Sequence, residues 1–435
     1  MRPKPASRAA NGGSRAAGAM AAVVLIAAIT FNAALAIING HVSALTAAHV
    51  AIGQAIITAS AIVVIAFHSR RAMTPWVFLA LVMLAIQCFV IASSQVFSAK
   101  SIGDVIIIPI FVMLGMVYAE RGNIVRLFGI IQLIVLFFML MEVVNLNLFS
   151  DIFQIVRYYI NTRGFSQSNF WNPDVNLFVS ATRPNERFLL PFLNVHRTSS
   201  IFLEPISLEN YCVVTTIFVA AFWKRMTAWT RLFFVVSTLV LLIGSDGRLA
   251  TFTCAIVVVG AWIFPRLPRY SAVLYLPAVF VAAFLCVWTL HWTTLNDDFP
   301  GRTARSVQLL SNLSGESLLG LNSLAAAHAV DTGLAYFVLT QSIIGVAAIW
   351  FFICMVPSYR RDAAKIAIHG LCLYISLDLL VSDSLFSIKT AAPMWFFYGY
   401  MLDGDQLRRP VVPKLISQLR ARPLGFAFSP RSEIG

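Results

Sequence analysis

Twelve apolar runs, most about as long as a bilayer is thick, repeat along the chain and constrain it more than any other feature. They lie at about 19–38, 48–67, 74–93, 102–118, 124–145, 205–223, 230–244, 249–265, 272–290, 333–355, 366–382 and 387–401. A spanning helix needs about 20 apolar residues. The expected fold class is therefore all-α, a polytopic integral membrane protein of about 12 transmembrane helices. Composition agrees: 59% of the 435 residues are hydrophobic and only 12% are charged, where a soluble domain carries about a quarter charged residues. The seventh, eighth and twelfth runs are short, so their ends are the least defined.

The net charge of +13 does not point to nucleic acid, because most of the charges lie in short clusters between apolar runs, the positive-inside pattern. With Arg2, Lys4, Arg8 and Arg15 in the cytoplasm, alternate loops carrying Arg70–Arg71, Arg121–Arg126, Lys224–Arg225–Arg231, Arg266–Arg269 and Arg360–Arg361–Lys365 also fall inside. Residues 1–18 and 402–435 are then cytoplasmic tails flanking a transmembrane domain at 19–401. The first run has two readings. Ala34-Leu35-Ala36 after a basic start resembles a cleavable signal, but the apolar run continues through Ile38, which fits a retained helix. Cys88, Cys212, Cys254, Cys286, Cys354 and Cys372 fall in or beside apolar runs without metal-ligand spacing, and read as small apolar helix residues.

Two loops on the outer side are large, at 145–199 and 291–332. They contain Arg157, Arg163, Arg183, Arg187, Arg197, Arg302 and Arg305 but no lysine. Guanidinium groups grip phosphate oxygens through paired hydrogen bonds that an ammonium cannot make, so the bias suggests a fixed phosphate ligand; ordinary loop solvation is the alternative. No internal repeat of the kind common in transporters is visible.

Three elements on that side carry candidate chemistry. "VHRTSSIFLEP" (195–205) brings His196, Arg197 and Glu204 to the mouth of the sixth span; Pro205 suits a first helical turn, and Glu204 reads either as a helix cap or as an acid–base group. "SDGR" (245–248) makes a tight turn with Asp246 and with Arg248, which is either a ligand or an interfacial residue snorkelling to lipid phosphate. In the third element Arg302 and Arg305 lie one helical turn apart, and His328 precedes Asp331. An imidazole beside a carboxylate could be a general base; an interfacial histidine without a task is the alternative. Metal and serine-nucleophile motifs are not seen, and the expectation is no metal and no cofactor.

Taken together and in this order, these elements resemble the O-antigen polymerase and O-antigen ligase family. That family carries Arg, two small residues and Phe-x-Glu-Pro at a mid-chain helix mouth; here stand Arg197, Ser199, Ser200, Phe202, Glu204 and Pro205. Its Ser-Arg-Gly-like turn corresponds to Ser245-Asp246-Gly247-Arg248, and its second large loop to Arg302, Arg305, Gly320 and His328, followed by Ile343-Ile344-Gly345. Ser200 stands where the family often has Gly, the Ser-Arg-Gly order is rearranged, and the usual His-Asn reads His328-Ala329. The overall likeness is greatest to xanthan-type exopolysaccharide polymerases.

The resemblance implies a GT-C-like, metal-independent glycosyltransferase of the bacterial inner membrane with its active site in the periplasm. It would join repeat units carried on undecaprenyl diphosphate. Arg197, Arg248, Arg302 and Arg305 would hold the diphosphate. His328 with Asp331 or Glu204 would act on the acceptor proton, with His196 and Asp246 as secondary candidates. Implied partners are the lipid-linked repeat units, the growing glycan, the bilayer, and the flippase and chain-length or export proteins of the pathway; no nucleic acid is expected. The alternatives are an O-antigen ligase and a lipid-linked oligosaccharide flippase or other transporter.

The orientation is directly testable. With the native cysteines replaced, a cysteine at Ser168 or Ser311 should react with a membrane-impermeant thiol reagent in spheroplasts, and one at Ala363 should not. Labelling of Ala363 but not Ser168 would invert the topology.

Overall fold

The computed structural model describes residues 8–68, 70–120, 122–182, 187–193, 195–295, 298–329, 332–357 and 361–403. Sixteen α-helices and short 3-10 turns account for the regular structure, and no strand occurs among the described residues. The helices are α1 (Arg8–His41), α2 (Ala47–Ala66), α3 (Thr74–Ser94), α4 (Ala99–Ala119), α5 (Ile124–Val144), α6 (Leu146–Phe153), α7 (Ile155–Arg163), α8 (Pro205–Phe222), α9 (Ala228–Ser245), α10 (Arg248–Ile263), α11 (Tyr275–Thr289), α12 (Phe299–Ser311), α13 (Gly315–Leu318), α14 (Gly333–Met355), α15 (Asp362–Val381) and α16 (Ile388–Asp403). Eleven segments among the described residues are long and apolar enough to cross a membrane. The chain is an all-α polytopic membrane protein. The twelfth expected run is α16, whose 16 residues fall short of the eleven segments, which have 18 or more.

Helix boundaries follow local chemistry. Ser98, Asn145, Thr227 and Asp298 cap α4, α6, α9 and α12, each side chain accepting from a backbone N–H three residues on, which satisfies an otherwise orphaned donor. The expected spans match the helices to within a few residues, except that α1 begins at Arg8, well before the expected start at 19. The large loops contain helices of their own: α6 and α7 in the first, α12 and α13 in the second. The first helix runs unbroken through Ala34–Ala36 and packs on α2, α4 and α16.

Burial divides the bundle. Helices α4, α8 and α15 are mostly enclosed, whereas α2, α3 and α11 expose most of their apolar side chains. Phe78, Leu81, Phe89, Phe137, Trp262 and Trp288 stand outward, a surface suited to lipid and not to water. At the centre α4 and α16 touch backbone to backbone. A Cβ on Gly115 would lie 2.0 Å from the Phe396 carbonyl oxygen, and one on Gly399 would lie 1.9 Å from that of Val112. Small residues permit this approach, and packing of this kind drives helix association where lipid gives no hydrophobic force. It is why the short α16 sits in the interior, with Ala391, Phe396 and Phe397 fully buried.

Contacts between connections respect the alternation of the spans. Lys100, in the first turn of α4, lies by Asp383 in the α15–α16 connection. Ser323 of the second large loop bonds Ser94, and Thr198 N–H bonds the Gly244 carbonyl. These segments share the face that bears both large loops, here the loop face. On the opposite, basic face Arg70 pairs with Glu120 and Lys365 donates to the Pro265 carbonyl at 2.7 Å.

One span is broken. Ser342 inside α14 has φ 61° and ψ 161°, a conformation otherwise used almost only by glycine. Gln87 of α3 donates to the Thr340 carbonyl at 2.6 Å, and the Ser342 hydroxyl accepts from Gly345 N–H at 3.2 Å. These side chains supply partners at the break, as the hydrocarbon region demands.

Candidate functional site

A cavity of about 130 Å³ opens on the loop face. Ser180 of the first large loop, Arg197, the starts of α8, α10 and α12, and the end of α15 enclose it. Three of the four predicted diphosphate ligands, Arg197, Arg248 and Arg302, line it, as do Asp246, Glu209, Asp298 and Asp378. The convergence of three helix N-termini matters electrically. Each carries about half a positive charge, which adds to the three arginines and offsets part of the charge of the four lining carboxylates, one of which, Asp298, already caps α12.

The three arginines differ. Arg197 is buried, and its guanidinium is engaged by the Ser245 carbonyl at 2.9 Å, the Ser180 carbonyl at 3.2 Å and the Glu209 carboxylate. It forms the back wall of the cavity and locks the α9–α10 turn to α8. Gly247 allows this, because a Cβ there would meet the Glu209 carboxyl carbon at 2.3 Å. Arg248, the first residue of α10, is exposed and stacks over Phe188, 5.5 Å from the ring centroid. Arg302 is half-buried on α12 and reaches the Val381 carbonyl at 3.5 Å. Arg305, though one turn on, does not line the cavity; its Nη2 bonds the Leu295 carbonyl at 3.0 Å.

Glu204 and His196 also lie outside the cavity. Glu204 occupies the N-cap position of α8 but makes no side-chain cap bond, which corrects the helix-cap reading. Its carboxylate instead receives Arg163 and Lys389, each at 2.6 Å, Tyr159 at 2.8 Å and Ser207 at 2.9 Å. Burial alone would raise its pKa; Arg163 and Lys389 overcome this and bring it down from 4.5 to about 2. A carboxylate so held is a poor proton acceptor. His196 lies 3.1 Å from Glu142. Asp246, with φ 56°, ends α9 and accepts the N–H groups of Phe188 and Leu189 at 3.0 and 2.6 Å, so it anchors the first large loop. The His328 side chain and Asp331 lie outside the described residues, as do Arg183 and the C-terminal basic residues.

The stretch 196–204 is held mainly by residues the motifs did not reveal. Glu142, fully buried near the end of α5, accepts the N–H groups of Ser199 and Ser200. Ser200 has φ 51°, the left-handed region that glycine prefers. The Ser200 hydroxyl bonds the Val135 carbonyl at 2.6 Å. Arg187 clamps the carbonyls of Val195 and His196 at 2.8 and 3.1 Å and also bonds that of Ile243. Arg157 bonds the Gly40 carbonyl at 3.4 Å. Much of the arginine bias in the first large loop therefore serves carbonyls and Glu204. The signal that could have found Glu142, Glu209 and Lys389 was their charge within or beside apolar runs, where an ionisable residue needs a partner.

A second charged group lies across the Ser382–Ser387 connection. Lys100 meets Asp104 at 3.2 Å and Asp383 at 3.9 Å, and Tyr336 donates to Asp104 at 2.7 Å.

No protein-family model, curated protein or solved structure matches this chain.

The Glu204 cluster yields a stability prediction. Its folded pKa lies below the unfolded value. Its stabilisation is thus complete above about pH 4.5 and lost as pH falls toward 2. Glu204→Gln leaves Lys389, fully buried, without its counter-ion, at a cost of about 3–5 kcal/mol. The thermal midpoint at neutral pH should fall clearly, and the loss of stability between pH 4.5 and 2 should flatten. An unchanged midpoint would contradict the buried pairing.

Proposed function

We propose that the protein is a polysaccharide polymerase of the bacterial inner membrane, joining undecaprenyl-diphosphate-linked repeat units on the periplasmic side. The observation that carries this reading is the cavity on the loop face, where Arg197, Arg248 and Arg302, far apart in sequence, meet three helix N-termini. Glycosyl transfer from a lipid diphosphate builds negative charge on the departing diphosphate, and fixed donors aimed at that charge stabilise the transition state. Arg248 and Arg302 stand where they would meet it, and Arg197 with Glu209 holds the wall rigid. The lipid-facing helices beside α10 and α11 would accommodate the polyprenyl tail.

In this proposal the partners are the growing glycan, the incoming lipid-linked unit, and the flippase and chain-length or export proteins of the pathway. A ligase would use the same donor and a different acceptor. One observation favours transport as a second reading: the break at Ser342 resembles the discontinuous helices on which transporters build their sites.

Deletion of the gene separates these readings. Loss of a polymerase leaves single lipid-linked repeat units and no polymer. Loss of a ligase leaves full-length polymer on the lipid carrier, and loss of a flippase traps single units on the cytoplasmic side. With membranes and extracted lipid-linked units, wild type should form polymer in the presence of EDTA, while Arg302→Lys should lose most activity at normal protein level, because lysine lacks the fork. Retention of full-length lipid-linked polymer in the deletion strain would contradict the polymerase reading.

A further inference from the structure

Five described carboxylates bear on the loop-face cavity or on the predicted catalytic positions, and four are committed. Glu204 is held by two cations. Glu209 pairs with Arg197. Both oxygens of Asp246 accept backbone N–H groups, and Asp298 caps α12 through Gly301 N–H at 2.8 Å. Asp378 differs. It lies one turn before the loop-face end of α15 and lines the cavity with Arg197, Arg248 and Arg302. Its oxygens receive the Ser384 hydroxyl at 3.0 and 3.2 Å, the Leu385 N–H and the Asn210 amide are also directed at it, and Asn210 in turn holds Ser384. Among the described residues no lysine or arginine lies within ion-pair distance of it. A carboxylate has about four lone-pair sites, and neutral donors fix the orientation of this one without neutralising its charge.

We infer that Asp378 is the general base of the cavity, accepting the proton of the acceptor sugar hydroxyl. This rests on the polymerase reading. The hydroxyl oxygen forms its bond to the anomeric carbon of the donor as its O–H bond breaks toward an Asp378 oxygen. The bond from the anomeric carbon to the diphosphate oxygen breaks with its electron pair, and that charge develops on the diphosphate facing Arg248 and Arg302. Asp378 then returns its proton to water. Ser384 and Asn210 are positioning residues, holding the carboxylate toward the cavity.

The test uses the full-length protein in native membranes, with extracted lipid-linked repeat units for turnover and undecaprenyl diphosphate for binding. Asp378→Asn keeps the side-chain shape and an acceptor for Ser384. Turnover should fall about 10²–10⁴-fold, with affinity for undecaprenyl diphosphate within about threefold of wild type. Asp378→Asn turning over like wild type overturns the assignment while leaving the polymerase reading intact; wild type making no polymer sinks that reading instead. Joint loss of binding and turnover in Asp378→Asn means a structural role and also overturns it. If Asp378→Asn does not accumulate, Asp378→Ser with added formate decides. Rescue by the external carboxylate supports the base, and no rescue overturns it.

Discussion

Residues 196–204 cross the loop face at the edge of the membrane with a single 3-10 turn at Ser200–Phe202, and the rest of the site depends on how their polar groups are satisfied. Unpaired backbone polar groups are costly where water is scarce. Glu142 takes the N–H groups of Ser199 and Ser200, Arg187 takes the carbonyls of Val195 and His196, and Gly244 and Ala181 accept from Thr198 and Arg197. With the backbone held, its two charged side chains are sent in different directions. Arg197 goes to Glu209 and the α9–α10 turn, and Glu204 to Arg163 and Lys389. The first builds a cavity wall; the second ties the first large loop to α16.

This division of labour gives the cavity its electrostatic character. Its arginines come from three elements, and the dipoles of α8, α10 and α12 add positive potential. The buried pair at the back is rigid and satisfied, so Arg248 and Arg302 at the rim are the groups placed to meet a ligand. Preorganised donors of this kind lower a barrier because they need not reorient as charge develops. The same arrangement leaves Asp378, oriented by Ser384 and other neutral donors, in the cavity with no described cation at ion-pair distance.

Much of this was legible in the sequence. Apolar run length placed the helices within a few residues except at the start of α1, and basic residues between runs gave the alternation that the contacts of Lys100 with Asp383 and Arg70 with Glu120 follow. The gathering of Arg197, Arg248 and Arg302 was anticipated from their loops. What was not legible depends on three-dimensional pairing. Arg305 looked equivalent to Arg302 because helical spacing gives a shared face but not the direction of each guanidinium. Glu204 looked like a cap because its position is that of one, and nothing local announces Lys389, 185 residues on.

The central claim is that the loop-face cavity receives the diphosphate of a polyprenyl-linked glycan. Its most direct test is an experimental structure of the protein in a lipid nanodisc with undecaprenyl diphosphate. The account predicts density for the two phosphates within hydrogen-bond distance of Arg248 and Arg302, with the polyprenyl chain leaving toward the lipid-facing helices. Phosphate density seated instead at Lys100 and Arg163, with the arginine cavity empty, would contradict it.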